Sequence, residues 1–116
     1  MSSINLDYLN QLSAGDNDFI SEMLQTYIDE TSKDVADLNQ ALQENDIKKL
    51  GFLAHRVKSA FKMLGLEALA EITQRVEHNA KKNEIPKEDY TEDVANIVTI
   101  ATKSFEEAAG IIKSMQ

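Results

Sequence analysis

A histidine near the middle of the chain has the surroundings of a possible nucleophile. His55 lies in the segment AHRVKSAFKMLG, residues 54–65, where apolar residues recur at helical spacing and predict a helix. On a helical wheel of about 100° per residue, His55 falls about 160° from the centre of the apolar stripe. We therefore expect His55 to face water. A neutral imidazole keeps one nitrogen lone pair free to act as a nucleophile.

The residues one turn away from His55 would provide both space and charge for a reaction. Gly51 and Ser59 are small, so they are expected to leave room for a large group to approach the imidazole. Lys58 can bring an ammonium group to a developing anion, such as that of a phosphoryl group. Lys62 is a second, looser cation on the same helix face. Phosphoryl chemistry is therefore the first hypothesis for this face.

Apolar side chains on the same helix indicate a surface for a partner. Phe52 and Met63 are expected to have no core to enter, although scattered exposed apolar residues are ordinary by themselves. The predicted partner-binding residues are Gly51, Phe52, Arg56, Ser59, Lys62 and Met63. The combination with His55, rather than any one of these residues, favours a functional surface.

Glu77 is predicted to approach His55 from the following helix. If the two helices are antiparallel about a turn at Gly65, His55 lies ten residues before the turn and Glu77 twelve after it. At ~1.5 Å per residue the two side chains lie at nearly the same height. The Glu77 carboxylate could then accept a hydrogen bond from one ring nitrogen and leave the other free to attack. The alternative is that Glu77 is a solvated helix acid.

His78 is the rival histidine, and it fits a functional role less well. It is predicted on the outside of its helix, and Lys81 and Lys82 follow it without the frame of small residues that surrounds His55. A metal site that uses both histidines would need further ligands, and no carboxylate and histidine spacing in the chain suggests one. We predict no metal site.

Helices are expected to position all of these residues. The chain has one proline, four glycines and almost no strand signals. A short first helix is predicted around Leu6, Leu9 and Leu12, and a long second helix runs from the Asp16 cap to near Glu44 or Asn45. A third helix is expected from the Asp46 cap to Gly65, and a fourth from Leu66 to Ala80. A fifth helix begins at Pro86, with Glu88 and Asp89 in its first turn. These elements predict an all-α fold. It is an antiparallel up-down-up-down four-helix bundle with a short extra N-terminal helix as a lid, in a single domain over residues 1–116.

Composition narrows the classes of function. The formal net charge of -8 argues against nucleic acid or an anionic membrane as the main partner. The absence of cysteine excludes disulfides, thiolate zinc sites and cysteine nucleophiles. Residues 1–4 lack the features of a signal peptide, and no apolar segment approaches the ~20 residues needed to cross a bilayer. We expect a free-standing cytoplasmic monomer.

The segment around His55 resembles the signature of histidine-containing phosphotransfer (HPt) domains. That pattern begins with an alanine, the phosphorylated histidine, two variable residues and a lysine. It continues with a residue that is usually glycine, then small residues, a hydrophobic residue and a glycine. The residues of this chain that match it are Ala54, His55, Lys58, Ala60, Leu64 and Gly65. LSAGDNDFISEMLQTY resembles the family's entry into its long second helix. LEALAEITQRVEHNAKK resembles the helix after the active one. The resemblance covers about residues 5–83, and residues 87–116 match only as a generic last helix.

Two positions depart from the HPt pattern. Ser59 stands where glycine is usual, and Phe61 stands where a small residue is usual. The serine could crowd a phosphate or donate a hydrogen bond to one, and we expect it to tune reactivity rather than abolish it. Phe61 is expected to pack at the edge of the core.

The resemblance implies a role in a two-component phosphorelay. His55 would accept a phosphoryl group from the phosphoaspartate of one receiver domain and pass it to an aspartate of another, with Lys58 stabilising the phosphate and Glu77 orienting the imidazole. The implied partners are receiver domains of response regulators and of a hybrid sensor kinase. The receiver would supply Mg²⁺, and this chain would bind no cofactor itself.

Two alternatives compete with the relay. A kinase is disfavoured because no Gly-rich phosphate loop is present. In addition, Arg56 follows the histidine where the dimerisation helices of sensor kinases usually have an acidic residue. An adaptor that binds receiver or kinase partners without accepting phosphate stays open because of Ser59.

Overall fold

The computed structural model describes residues 4–82 and 88–116, and its regular elements are helices. They are α1 (Asp7–Ser13), α2 (Asn17–Thr26), α3 (Ser32–Gln43), α4 (Ile47–Met63), α5 (Glu67–Lys82) and α6 (Glu88–Ser114). A π turn over Tyr27–Thr31 joins α2 to α3, so residues 17–43 form one continuous helical rod. Within the described ranges no strand occurs.

Two aspartates begin helices, as their position before an apolar stripe predicted. The side chain of Asp16 accepts hydrogen bonds from the amides of Asp18 and Phe19, at 2.9 and 3.4 Å. Asp46 accepts one from the amide of Lys49 at 3.2 Å. These bonds satisfy amides that have no partner inside the first turn of a helix. Asp46 therefore determines where the helix that carries His55 begins.

Gly65 forms the turn between α4 and α5. Its φ is +68°, a conformation that side chains with a Cβ rarely adopt. A Cβ at this position would also lie 2.5 Å from the Cβ of Asn5. The Asn5 amide donates to the carbonyl of Leu64 at 2.8 Å, which ties the N-terminal segment to the turn. Glycine is therefore needed here both for the turn and for this close packing.

The rod of α2 and α3 packs with α4, α5 and α6 as an antiparallel up-down-up-down bundle, with α1 at the side of α2. The residues on the inner face of the rod are entirely buried: Ile20, Leu24, Tyr27, Thr31, Val35, Leu38 and Leu42. Burying each large aliphatic side chain contributes about 1.5–3 kcal/mol, so the stripes provide most of the stability. Among the described residues no helix has the length and apolar character needed to span a membrane.

Several side chains lie differently from the prediction. The predicted first helix holds Leu9 and Leu12, with Leu6 at its N-cap, and of these residues Leu9 is buried whereas Leu12 is 57% exposed. Phe61 is fully buried instead of lying at the edge of the core. Its ring packs edge-on against the Tyr27 ring, with 6.5 Å between the ring centres. The predicted helix start at Pro86 lies outside the described residues.

Candidate functional site

The apolar stripe of α4 turns His55 towards solvent. Ala54 and Val57 on either side of it are fully buried, which fixes the rotation of the helix about its axis. The His55 side chain is 62% exposed. The imidazole is therefore accessible to a partner from outside the bundle.

Glu77 on α5 contacts the imidazole of His55. Oε2 of Glu77 lies 2.9 Å from Nδ1 of His55, at the height expected from counting residues on both sides of the turn. The Glu77 side chain is only 6% exposed, because Val76 and Ala80 hold this face of α5 against the core. Glu77 is thus a buried carboxylate and not the solvated acid of the alternative interpretation.

Two lysines neutralise the Glu77 carboxylate. Nζ of Lys58 lies 2.7 Å from Oε1, and Nζ of Lys81 lies 3.1 Å from Oε2. The Lys58 side chain is 16% exposed and the Lys81 side chain 71%. The Lys58 ammonium therefore contacts Glu77, whereas the sequence predicted that it would lie beside the imidazole, ready to bind a phosphoryl group.

The charge of Glu77 determines which nitrogen of His55 carries the proton. Burial alone would raise the pKa of Glu77, but Lys58, Lys81 and His55 outweigh it and lower the pKa to about 2. An ionised carboxylate can only accept hydrogen bonds, so the Nδ1–H group of His55 is the donor. In the neutral ring the lone pair then resides on Nε2. The site therefore presents a nucleophilic nitrogen that is held in a defined orientation.

The two small neighbours of His55 have different surroundings. Ser59 is exposed, and its hydroxyl donates to the backbone carbonyl of His55 at 3.3 Å. Gly51 is buried, and a Cβ on it would lie 3.3 Å from the Cβ of Ala80. α5 therefore occupies part of the space next to Gly51, although Gly51 also lines an open cleft beside the imidazole. The missing side chain of Gly51 lets α4 and α5 approach each other closely.

A cleft between α4 and α5 opens beside the imidazole. It is lined by Asn45, Ile47, Lys48, Gly51, Phe52, His55, Glu77, Ala80 and Lys81. We call this the His55 cleft. Phe52 is 61% exposed, a large apolar side chain next to the candidate nucleophile. The cleft thus combines an apolar surface, two lysines and the histidine.

Comparisons with known proteins agree with this geometry. The Hpt domain family matches residues 22–108, which is most of the chain and includes His55, Lys58 and Glu77. The chain belongs to the Hpt domain family. No solved structure gives a significant match.

Two curated proteins are similar to this Hpt domain. Multistep phosphorelay regulator 1 of Schizosaccharomyces pombe is 29% identical over 63 residues, which is 54% of this chain and 21% of that protein. Phosphorelay intermediate protein rdeA of Dictyostelium discoideum is 26% identical over 81 residues, which is 70% of this chain and 32% of that protein. The aligned regions therefore span a third or less of each relative.

The predicted partner-binding patch of the Hpt domain is divided in the structure. Gly51 and Phe52 line the His55 cleft, whereas Arg56 reaches towards α3, with an ion pair of 3.2 Å to Asp34. The Arg56 guanidinium also lies 5.8 Å from the centre of the Phe52 ring. Met63 is half-buried and packs on the core, so the expectation that it had no core to enter is wrong. 

The remaining polar residues of that patch lie outside the cleft. Lys62 is exposed and is two helical turns from His55. Ser59 is one turn from His55, on the side away from the α3–α4 connection. Of the two, only Ser59 contacts His55 in the described structure.

Sequence reasoning missed part of the Hpt site. Lys81 was not assigned to it, although Glu77 and Lys81 have the four-residue spacing typical of helical ion pairs. Asn45, Ile47 and Lys48 come from the connection between α3 and α4, where Asn45 has a φ of 62°. No local pattern in the sequence indicated that this connection would border the site.

His78 lies apart from the Hpt site. It is exposed and lines a separate surface depression with Glu71, Gln74, Arg75 and Asn79. In the ranges 4–82 and 88–116, no group of three or more histidine, aspartate or glutamate side chains is arranged to hold a metal ion. His55 and His78 line different depressions of the surface.

Proposed function

We propose that this chain is a phosphotransfer intermediate of a two-component phosphorelay, with His55 as the phosphorylated residue. The observation that carries the proposal is the contact between Nδ1 of His55 and the ionised Glu77 carboxylate on an exposed face. This contact leaves Nε2 unprotonated and directed away from Glu77. Membership of the Hpt family and similarity to two proteins named for phosphorelays support the same function.

The proposed reaction is an in-line exchange between two proteins. Nε2 of His55 attacks the phosphorus of a receiver phosphoaspartate. The N–P bond forms as the P–O bond breaks, and the aspartate leaves as a carboxylate. The Nδ1 proton stays in place, and the negative charge of Glu77 offsets the positive charge that the ring acquires. Transfer to a second receiver is the same step in reverse.

The proposed partners are receiver domains of response regulators and of a hybrid sensor kinase. The exposed Phe52 ring would enter their interface, and Lys48 would meet a polar group at its rim. Mg²⁺ would be bound by the receiver, where it would neutralise the phosphoryl oxygens. We further propose that the protein acts as a cytoplasmic monomer and does not use ATP itself.

The test is phosphoryl transfer from a receiver. Receiver domains from the same genome are phosphorylated with ³²P-labelled acetyl phosphate, freed of donor and mixed with this chain. We expect acid-labile, base-stable label on the wild type and on the His78→Gln variant, and none on His55→Gln. His78→Gln is the matched control because it also replaces a histidine on the bundle surface.

Three results would contradict the proposal in different ways. Label on His55→Gln would refute the assignment of the site. Label from ATP alone, without a receiver, would indicate a kinase. Stable binding of a phosphorylated receiver without any transfer would favour the adaptor.

A further inference from the structure

His55 and Lys81 share one acceptor atom. Oε2 of Glu77 lies 2.9 Å from Nδ1 of His55 and 3.1 Å from Nζ of Lys81. The Lys81 ammonium is therefore within two hydrogen-bond lengths of the imidazole, and both side chains line the His55 cleft. Because two donors divide the negative charge of one oxygen, Lys81 weakens the bond that Glu77 can make to the ring.

Lys58 and Lys81 differ in how firmly Glu77 holds them. Lys58 is 16% exposed, and its ammonium is the charged partner of Oε1, an oxygen shielded from solvent. If Lys58 moved away, a buried carboxylate oxygen would be left without a partner, which is costly. Lys81 is 71% exposed, and an exposed ion pair of this kind contributes little free energy. Lys81 can therefore leave Glu77 easily, and Lys58 cannot.

We propose that Lys81 is the phosphate-binding cation of this site: it moves from Glu77 to the phosphoryl group when His55 is phosphorylated, while Lys58 stays on Glu77. This inference rests on the proposed phosphotransfer at His55, and it differs from the assignment of the phosphate to Lys58 that the family motif implies. The movement has two effects. It places an ammonium beside the new phosphoryl oxygens, and it removes a competing donor from Oε2.

The second effect links phosphorylation to the ring. After the N–P bond forms, the imidazole carries a positive charge and its Nδ1–H group donates to Oε2. Once Lys81 has left, Oε2 accepts a hydrogen bond from His55 without competition from Lys81, so that bond strengthens as the ring becomes charged. When the phosphoryl group departs to a receiver, Lys81 returns to Glu77. Lys81 thereby stabilises the charge that appears during the reaction.

The experiment compares Lys81→Gln, Lys81→Arg and Lys82→Gln with the wild type. Lys82 is the matched control because it is the next residue of α5, is exposed and does not line the cleft. Each protein is phosphorylated with a receiver and, separately, with phosphoramidate, a small donor that needs no docking. We expect Lys81→Gln to slow both reactions by about tenfold or more, as expected for loss of one charge-assisted hydrogen bond. Lys81→Arg should restore most of the rate, and Lys82→Gln should match the wild type.

Two further measurements separate a phosphate contact from a structural role. The ³¹P chemical shift of the phosphohistidine should change in Lys81→Gln and stay unchanged in Lys82→Gln. The urea unfolding midpoint of unphosphorylated Lys81→Gln should stay close to that of the wild type. In Lys58→Gln we expect the midpoint to fall, because that substitution removes the partner of a buried carboxylate.

The outcomes distinguish this inference from the proposed function. If the wild type is labelled and Lys81→Gln reacts at the wild-type rate with an unchanged ³¹P shift, the role of Lys81 is refuted and the function of His55 stands. If folded Lys58→Gln is the variant that loses labelling, the motif lysine binds the phosphate instead. If neither donor labels the wild type, both proposals fail.

Discussion

His55 and Glu77 are separated by 22 positions in the chain, yet Nδ1 of one lies 2.9 Å from Oε2 of the other. One side chain is largely exposed and the other almost fully buried. The pair thus joins the surface, where a partner can reach the imidazole, to the interior, where the carboxylate is held in place.

Replacing Glu77 should slow phosphorylation of His55. Glu77→Gln keeps an oxygen that can accept a hydrogen bond from Nδ1, but it loses the negative charge that offsets the positive charge of the phosphorylated ring. Glu77→Ala loses both, so we expect the rate to fall further, on the order of 10- to 100-fold. Initial rates with phosphoramidate measure this effect, and circular dichroism confirms that each variant is folded. Equal rates for the wild type and Glu77→Ala would show that the carboxylate does not assist the ring.

Acid should remove the stabilisation that the Glu77 ion pairs provide. The folded-state pKa of Glu77 is about 2, below its ordinary value of 4.5. This contribution to the free energy of unfolding is therefore fully present above about pH 4.5, and it is lost as the pH falls towards 2. Over this range we expect the difference in free energy of unfolding between the wild type and Glu77→Gln to shrink by up to about 3 kcal/mol. Urea unfolding of both proteins at several pH values tests this, since other carboxylates cancel in the difference. A difference that stays constant with pH would contradict it.

A larger side chain at Gly51 should force α4 and α5 apart. Its Cβ would meet Ala80 at 3.3 Å, whereas a Cβ on Gly110 would meet nothing within 4 Å. We expect Gly51→Leu to lower the free energy of unfolding by about 1–3 kcal/mol. The control Gly110→Ala should raise it by about 0.5–1 kcal/mol, because alanine loses less conformational freedom in a helix. Urea unfolding measures both changes. A fully stable Gly51→Leu variant would show that the helices do not depend on this close approach.

Phe52 should matter for binding and little for folding. It is 61% exposed at the His55 cleft. Phe52→Ala should therefore change the free energy of unfolding by no more than about 1 kcal/mol, which allows for the lost contact with the Arg56 guanidinium. We expect it to weaken receiver binding about tenfold or more, as buried interface aromatics do. Calorimetric titration measures the affinity, and Tyr8→Ala is the control, because Tyr8 is an aromatic on α1 that is also largely exposed, at 51%. Equal losses in both variants would mean that the cleft is not the docking site.

The serine beside the histidine should be tolerated. Its hydroxyl already donates to the carbonyl of His55, so it does not need to occupy the approach to the ring. Ser59→Gly should leave the phosphorylation rate within about threefold of the wild-type rate. It should lower the free energy of unfolding by about 0.5 kcal/mol, because glycine is a poorer helix former than serine. Phosphoramidate kinetics and urea unfolding test the two parts. A rate increase of tenfold or more would show that Ser59 crowds the phosphoryl group.

Lys58 and Met63 mark the limit of what a helical wheel can assign. The wheel puts Lys58 at the flank of the outer half of α4 and predicts that Met63 has no core to enter, yet Lys58 reaches the buried Glu77 and Met63 packs on the core. A long side chain extends well away from its own Cα, and its direction depends on the groups that surround it. Neighbouring helices therefore decided these two orientations.

The helices, their caps at Asp16 and Asp46, and the outward direction of His55 could all be predicted from the sequence, because periodicity and capping act within a few residues of the chain. The sequence also predicted the level at which Glu77 meets His55, since helical rise is constant. Three features became visible only in the folded chain: Gly51 lies against Ala80, Glu77 is buried, and Lys58 and Lys81 bind different oxygens of its carboxylate. Those features depend on the distance between two helices and on competition among side chains for one carboxylate, which no local pattern encodes.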